Sequence, residues 1–250
     1  MTMRPDVAQR EREHFNRLAE KVGEAGSHRT TKAGLQRMQR RGRMLADVIR
    51  EYDNPYVLEI GAGAGAFSHY LLEEIPDLRL LGCDISPKCI EIANDRYGRR
   101  FANARFDVSD CTELHYGADT FDCVCGCSIL HHLPLESTLA ECFRVLKPGR
   151  PIWFSEPNML NPQIMIQKNI RLVGKWVQDT EDETAFFRWS MARVLRKTGF
   201  VDVCVRPFDF LHPSVPDLLV GLFGVIGKLV ERIPVLNEIA GSLVIQAKKL

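Results

Sequence analysis

From Tyr56 onward, short apolar runs alternate with stretches whose apolar residues recur every three or four positions. The runs are Tyr56–Ile60, Leu78–Asp84, Ala104–Val108, Phe121–Cys127 and Pro151–Glu156. Runs of this length bounded by turn residues predict buried strands. The stretches between them predict helices. One leaves a glycine-rich turn and continues through Glu74. Another covers Pro87–Tyr97, with Ser86 as its N-cap and Pro87 at its first position. A third spans Leu135–Leu146, and Lys147-Pro148-Gly149 ends it. Strands alternating with helices predict an α/β fold, a mostly parallel Rossmann-like sheet with helices on both faces.

The two ends of the chain read differently. Residues 1–30 are polar and weakly patterned, and Lys32–Glu51 predicts a helix before Asp53-Asn54-Pro55 breaks the chain. After strand five, Ser190–Thr198 predicts a helix stopped by Gly199, and Val201–Phe210 and Ser242–Lys248 predict a sixth and a seventh strand. Between those strands, Pro216–Val235 places Leu218, Leu219, Leu222, Phe223, Ile226, Leu229, Val230 and Ile233 on one helical face, with Lys228, Glu231 and Arg232 outside it. It is too short and too charged to span a bilayer. Besides packing on the domain, it suits a lid over an apolar acceptor, a membrane-surface contact or a dimer face. The expected organisation is a single domain over 1–250. It comprises a basic helical extension (1–52), a cofactor-binding core (53–160) and lid and acceptor-side elements (161–250).

Composition is that of an ordinary globular domain, 45% hydrophobic and 26% charged. A net charge of +1 argues against a dedicated nucleic-acid binder. The charge is uneven, +6 over residues 1–50 and −5 over the rest. The basic start is either a solvated helical extension or a surface for phosphates, lipid headgroups or an anionic acceptor. The first residues have no apolar core typical of a signal peptide, so a cytoplasmic location with reduced thiols is expected. Cys123, Cys125 and Cys127 share one strand face with successive sulfurs about 6.8 Å apart. That suits buried packing better than a tetrahedral metal site, and no metal is expected.

Gly61-Ala62-Gly63-Ala64-Gly65 joins the first strand to its helix. Glycines there permit unusual backbone angles and let a ligand approach the helix N-terminus. Asp84 ends the next strand, 19 residues beyond Gly65, where a carboxylate can accept from both hydroxyls of a ribose. Taken alone, this also satisfies the nicotinamide-dinucleotide fingerprint, as Gly61-x-Gly63-x-x-Ala66. Three features favour a cationic nucleoside instead. Glu59 puts a charge at the end of an apolar strand, costly unless it meets a cation. Asp107 and the amide of Val108 can read an adenine edge. The last strands form a hairpin-like pair where a second dinucleotide-binding half would stand.

Val57-Leu58-Glu59-Ile60-Gly61-Ala62-Gly63-Ala64-Gly65 resembles the first motif of class I S-adenosylmethionine-dependent methyltransferases. Gly82-Cys83-Asp84-Ile85-Ser86 resembles their ribose-binding motif. Phe121-Asp122-Cys123-Val124 with Leu130-His131-His132-Leu133-Pro134 resembles the fourth-strand motif, and Arg144-Val145-Leu146-Lys147-Pro148-Gly149 the turn before strand five. The four stand in order from Tyr56 to Glu156. The resemblance implies a seven-stranded sheet with an antiparallel last strand, and S-adenosyl-L-methionine as cofactor. It also implies that Glu59, Gly61, Ala62, Gly63 and Gly65 border the methionine part and that Asp84 holds the ribose. Ile85 would cover one adenine face, Asp107 with Val108 the adenine edge, and the Cys127 backbone would lie near the amine. Phe106 departs from the pattern, standing where the family often has glycine.

Methyl transfer from a sulfonium asks mainly for in-line alignment and exclusion of water; a base is needed only when the acceptor must lose a proton. Ligands in open α/β sheets sit beyond the carboxyl ends of the strands. There stand Ser128, His131 and His132 after strand four, Glu156, Asn158 and Asn161 after strand five, and His212 after strand six. His131 is the first catalytic candidate and Glu156 the second, as base or orienting acid; a capping or packing role competes for each. Asp182–Trp189, with Phe186, Phe187 and Trp189, reads as part of a lid or as core. Cys127-Ser128-Ile129-Leu130 replaces the Asn-Pro-Pro-Tyr type of tetrapeptide, which counts against adenine amines and glutamine amides as acceptors. The expected reaction is methylation of a small or amphiphilic acceptor, lipid-linked or glycan, at oxygen. The alternatives are an NAD(P)-dependent oxidoreductase and a non-catalytic S-adenosylmethionine-binding protein.

Overall fold

A computed structural model describes residues 5–22, 31–169 and 185–250. The expected lid segment Asp182–Trp189 therefore lies partly outside the described residues, which resume at Ala185. Helix α1 (Pro5–Val22) and helix α2 (Lys32–Ile49) precede the sheet. Then follow β1 (Tyr56–Ile60), α3 (Ala66–Glu74), β2 (Arg79–Asp84), α4 (Pro87–Ala93), β3 (Ala104–Val108), β4 (Cys123–Cys127), α5 (Leu135–Val145) and β5 (Pro151–Pro157). The last part holds α6 (Pro162–Asn169), α7 (Arg188–Thr198), β6 (Val201–Phe208), α8 (Val220–Val230), the single turn α9 (Pro234–Asn237) and β7 (Ser242–Lys248).

The seven strands lie in the order β3-β2-β1-β4-β5-β7-β6. Strands β1 to β5 are parallel, and β7 runs antiparallel between β5 and β6. The sequence therefore reads the sheet correctly, including its reversed last strand. Its boundaries shift where the backbone turns early. Strand β6 stops at Phe208 because Asp209 adopts a left-handed conformation, φ 76°. Phe121 makes only a lone bridge to Leu146 before β4 begins. The helix expected to reach Tyr97 is α-helical to Ala93 and widens to a π turn over Asn94–Gly98.

Alternation along the strands supplies two cores. Val57, Leu80, Cys123, Cys125, Trp153 and Val244 face α2, α3 and α4. Leu58, Ile60, Val124, Ile152, Phe154 and Ile245 face α5 and α7. The three strand-four cysteines are thus packing residues. Burial first, then Cys123 and the Glu59 carboxylate, push the Cys125 thiol well up, so it stays protonated. Among the described residues no group of three or more His, Cys, Asp or Glu side chains is placed to hold a metal.

A buried ionic network ties α2 to the late strands. Arg41 donates to the hydroxyls of Ser155 (2.9 Å) and Ser242 (2.8 Å) and pairs with Asp209 at 2.9 Å. Arg37 reaches the same Asp209 oxygen at 2.7 Å. Arg40 forms a two-pronged pair with Glu231 at 2.7 and 2.6 Å, and Glu231 also accepts the Asp209 backbone N–H. Burial works against the Asp209 carboxylate, but Arg41 and Arg37 outweigh it and hold its pKa below the ordinary value.

Candidate functional site

The site lies at the carboxyl ends of β1, β2, β4 and β5, where the strand order reverses direction at β1 and β4. The glycine turn leaves β1 with Gly61, Gly63 and Gly65 all at positive φ, 66°, 54° and 82°. A side chain at Gly63 would meet no atom within 4 Å, so this part of the turn borders open space. At Gly61 a Cβ would run into Ile129, and at Gly65 into the ring of Tyr97. The turn therefore leaves open space at Gly63, in front of the N-terminus of α3, while Ile129 and Tyr97 close over its two ends.

Two carboxylates flank that turn. Glu59 is almost fully buried and accepts a hydrogen bond from Ser68 of α3. Asp84 accepts the N–H of Gly63 with one oxygen and that of Ser86 with the other, both at 2.9 Å. Asp84 thus fixes the glycine turn, and a carboxylate is also the kind of group that accepts from hydroxyl donors. Val108 at the end of β3 is exposed and Ile85 half-buried, so an apolar edge borders the same cleft. The side chain of Asp107 is exposed on β3. The donor set fits a cationic nucleoside: buried carboxylates for the positive end, a paired acid for a diol, and apolar walls for a base.

Beyond β4 the chain turns sharply. Cys127 is buried, and Ser128 adopts φ 59°, rare for a side chain other than glycine, asparagine or aspartate. The loop that follows is gathered by Glu156 of β5. One oxygen of Glu156 accepts the N–H groups of Ile129 and Leu130, both at 2.9 Å. The other lies 2.7 Å from His131 Nδ1. Glu156 and His131 are both buried, so the pair is shielded from water. The His131 and His132 rings stand 4.1 Å apart.

Helix α1 crosses this cleft. Its buried Glu11 lies 3.4 Å from His132 Nδ1, Phe15 meets the His132 ring edge-on, and Asn16 accepts from the N-cap hydroxyl of Ser86 at 2.6 Å. Glu11, Phe15 and Asn16, with Ser68, escaped the sequence reading, which had named Ser128 and His132 but not the strain at Ser128. A signal for α1 existed: Val7, Phe15 and Leu18 keep helical spacing, and Glu11 interrupts it at the position that meets a histidine.

Other candidates fall outside. Asn158 donates to the carbonyls of Glu238 and Ala240, and Asn161 caps α6 and donates to Ile239. Both brace the segment before β7. His212 contacts Gln163 at the surface. Phe187 and Trp189 are exposed at the start of α7, while Phe186 packs on the core.

A family model described as a methyltransferase domain matches residues 57–149. Erythromycin 3''-O-methyltransferase of Saccharopolyspora erythraea is 32% identical over 192 residues, which cover 70% of this chain and 60% of that protein. A ubiquinone/menaquinone biosynthesis C-methyltransferase of Desulfotalea psychrophila is 29% identical over 171 residues, 61% of this chain and 68% of that one. The chain thus spans less than two thirds of the length of the first relative. Geranyl diphosphate C-methyltransferase of Streptomyces coelicolor, solved with S-adenosyl-L-homocysteine, superposes over the whole of both chains with a TM-score of 0.66 at 14% identity.

Proposed function

Because this chain belongs to the class I S-adenosylmethionine-dependent methyltransferases, we propose that it methylates a hydroxyl of a small or amphiphilic acceptor, with His131 taking up the hydroxyl proton. S-adenosylmethionine supplies a methyl group already made electrophilic by its sulfonium. The protein's task is to hold donor and acceptor in line, keep water out and accept a proton.

In this reading Glu59, Gly61, Ala62, Gly63 and Gly65 border the methionine part, and the Cys127 backbone lies beside its amine. Asp84 holds the ribose hydroxyls, and Ile85, Asp107 and Val108 border the adenine. The observation that carries the choice of oxygen is the buried His131–Glu156 pair. A carboxylate at 2.7 Å from Nδ1 selects the tautomer with its hydrogen there, which leaves the Nε2 lone pair to accept a proton. The resulting imidazolium is stabilised by the adjacent Glu156 charge. Amine acceptors need no such base once neutral. The relatives named above, by their names an erythromycin O-methyltransferase and a ubiquinone/menaquinone biosynthesis C-methyltransferase, support a small-molecule acceptor.

Methyl-labelled S-adenosylmethionine offered with macrolide glycosides, quinols and amines tests the reading. Label should enter a hydroxyl-bearing acceptor. His131→Asn should lower that turnover by about 10²–10⁴-fold, the usual worth of a general base, with cofactor affinity kept. Label on amines alone, or an active His131→Asn enzyme, would refute it.

A further inference from the structure

Helix α8 is mounted on the domain inside out. Its inward side carries the buried Val220 and Gly227 and the half-buried Gly224, and half-buried Glu231 follows its last residue. The two glycines let it sit close, since a Cβ at Gly224 would meet the Gln36 amide at 2.7 Å and one at Gly227 would meet Phe210 at 3.3 Å. Glu231 is locked by its two-pronged pair with Arg40. The large apolar side chains point away from the protein. Leu222, Val225 and Leu229 are 57%, 59% and 53% exposed, and Ile226 is 44% exposed. Leu218 before the helix and Val235 after it are 92% and 80% exposed.

Helical spacing of about 100° per residue spreads Val225, Leu229, Leu222, Ile226 and Phe223 over an outward arc of roughly 160°. A packed helix partner covers a narrower stripe than this. Lys228 lies at one edge of the arc, and Arg232 follows two residues past the end of the helix; both are exposed. With Glu231 committed to Arg40, the charge at that edge is cationic.

We propose that this face docks on the surface of an anionic phospholipid membrane. The apolar arc enters the acyl boundary while Lys228 and Arg232 reach the headgroups. An exposed apolar patch with a cationic edge matches a surface that is itself apolar inside and anionic outside. The proposal is independent of which acceptor is methylated.

Flotation of the full chain with vesicles tests it. The protein should float with phosphatidylcholine/phosphatidylglycerol vesicles and far less with phosphatidylcholine alone. Leu222→Glu with Ile226→Glu should lower partitioning at least about tenfold. Lys228→Gln with Arg232→Gln should lower it on the order of thirtyfold on anionic vesicles and little on neutral ones. Calorimetric binding of S-adenosylhomocysteine should stay as in the native chain, which separates lost docking from lost folding. Wild-type protein that stays in solution with both vesicles would overturn the proposal, as would an unchanged Leu222→Glu/Ile226→Glu variant. So would a dimer that the same variant dissolves while no vesicle binds, which would make the face a contact between copies.

Discussion

Replacing Asp84 by asparagine perturbs the ribose side of the cleft with almost no change of shape. In the native chain its two oxygens each accept one backbone N–H, from Gly63 and from Ser86, both at 2.9 Å. An amide offers one oxygen and one NH₂ group. Whichever way it is turned, the NH₂ confronts one of those donors. One charge-assisted bond is lost and the other becomes neutral. Bonds to charged groups are worth about 1.5–3 kcal/mol, against about 1 kcal/mol for neutral ones. The glycine turn therefore loosens by roughly 2–3 kcal/mol, shared between the free and bound states. A ribose diol then loses a further charged acceptor of the same worth. Since about 1.4 kcal/mol is a factor of ten, the Kd for S-adenosylhomocysteine should rise roughly ten- to a hundredfold. Isothermal titration calorimetry at neutral pH measures this directly, with a thermal melt confirming that the variant is folded. A folded variant whose Kd stays within about threefold of the native value would show that Asp84 does not serve the ligand.

Two further outcomes follow from the buried groups. Asp209→Asn keeps the left-handed backbone, which asparagine tolerates, but leaves Arg37 and Arg41 without their carboxylate. Breaking such a pair costs about 3–5 kcal/mol, near 10 °C in Tm for a chain of this length. Because the folded pKa of Asp209 is lowered, that stabilisation is full above the unfolded carboxyl pKa of about 4 and disappears as pH falls through the lower folded value. The Tm gap between native and variant should therefore narrow on acidification below about pH 4; a constant gap would contradict the pairing. Of the eight cysteines, seven are buried and Cys204 alone is exposed. Burial pushes the Cys123, Cys125 and Cys142 thiols up. An aromatic disulfide reagent should titrate one thiol rapidly in the native protein and all eight after denaturation; two or more fast thiols would refute this burial.

The sheet was legible because each strand of the first five carries its own apolar run and each helix its own stops. Ser86-Pro87 and Lys147-Pro148-Gly149 mark boundaries by local chemistry, and local chemistry is what a sequence displays. The turn with Glu59 and Asp84 was legible for the same reason. The Glu156–His131 pair was named residue by residue, but not as a pair, since 25 residues separate its members and only the β4–β5 register joins them. Helix α1 was hard to read as a cover because Phe15 is joined by polar groups, Glu11 and Asn16, in making its contacts, and these read as solvent-facing. The orientation of α8 was left open by its apolar stripe, which suited packing on the domain as well as an outer surface; two glycines and one ion pair decide which side faces the protein.

Strand β7 imposes an order on assembly. It is the neighbour that β6 pairs with, and it also pairs with β5 along its whole length. As the chain emerges during synthesis, the parallel half around the glycine turn can form its ladder while β6 has no edge to join. The last strand then enters between two strands already made and brings Ser242, the hydroxyl that receives Arg41 from α2. Closing the sheet therefore also completes the set of partners that Arg41 holds from α2, which already includes Ser155 of β5 and Asp209.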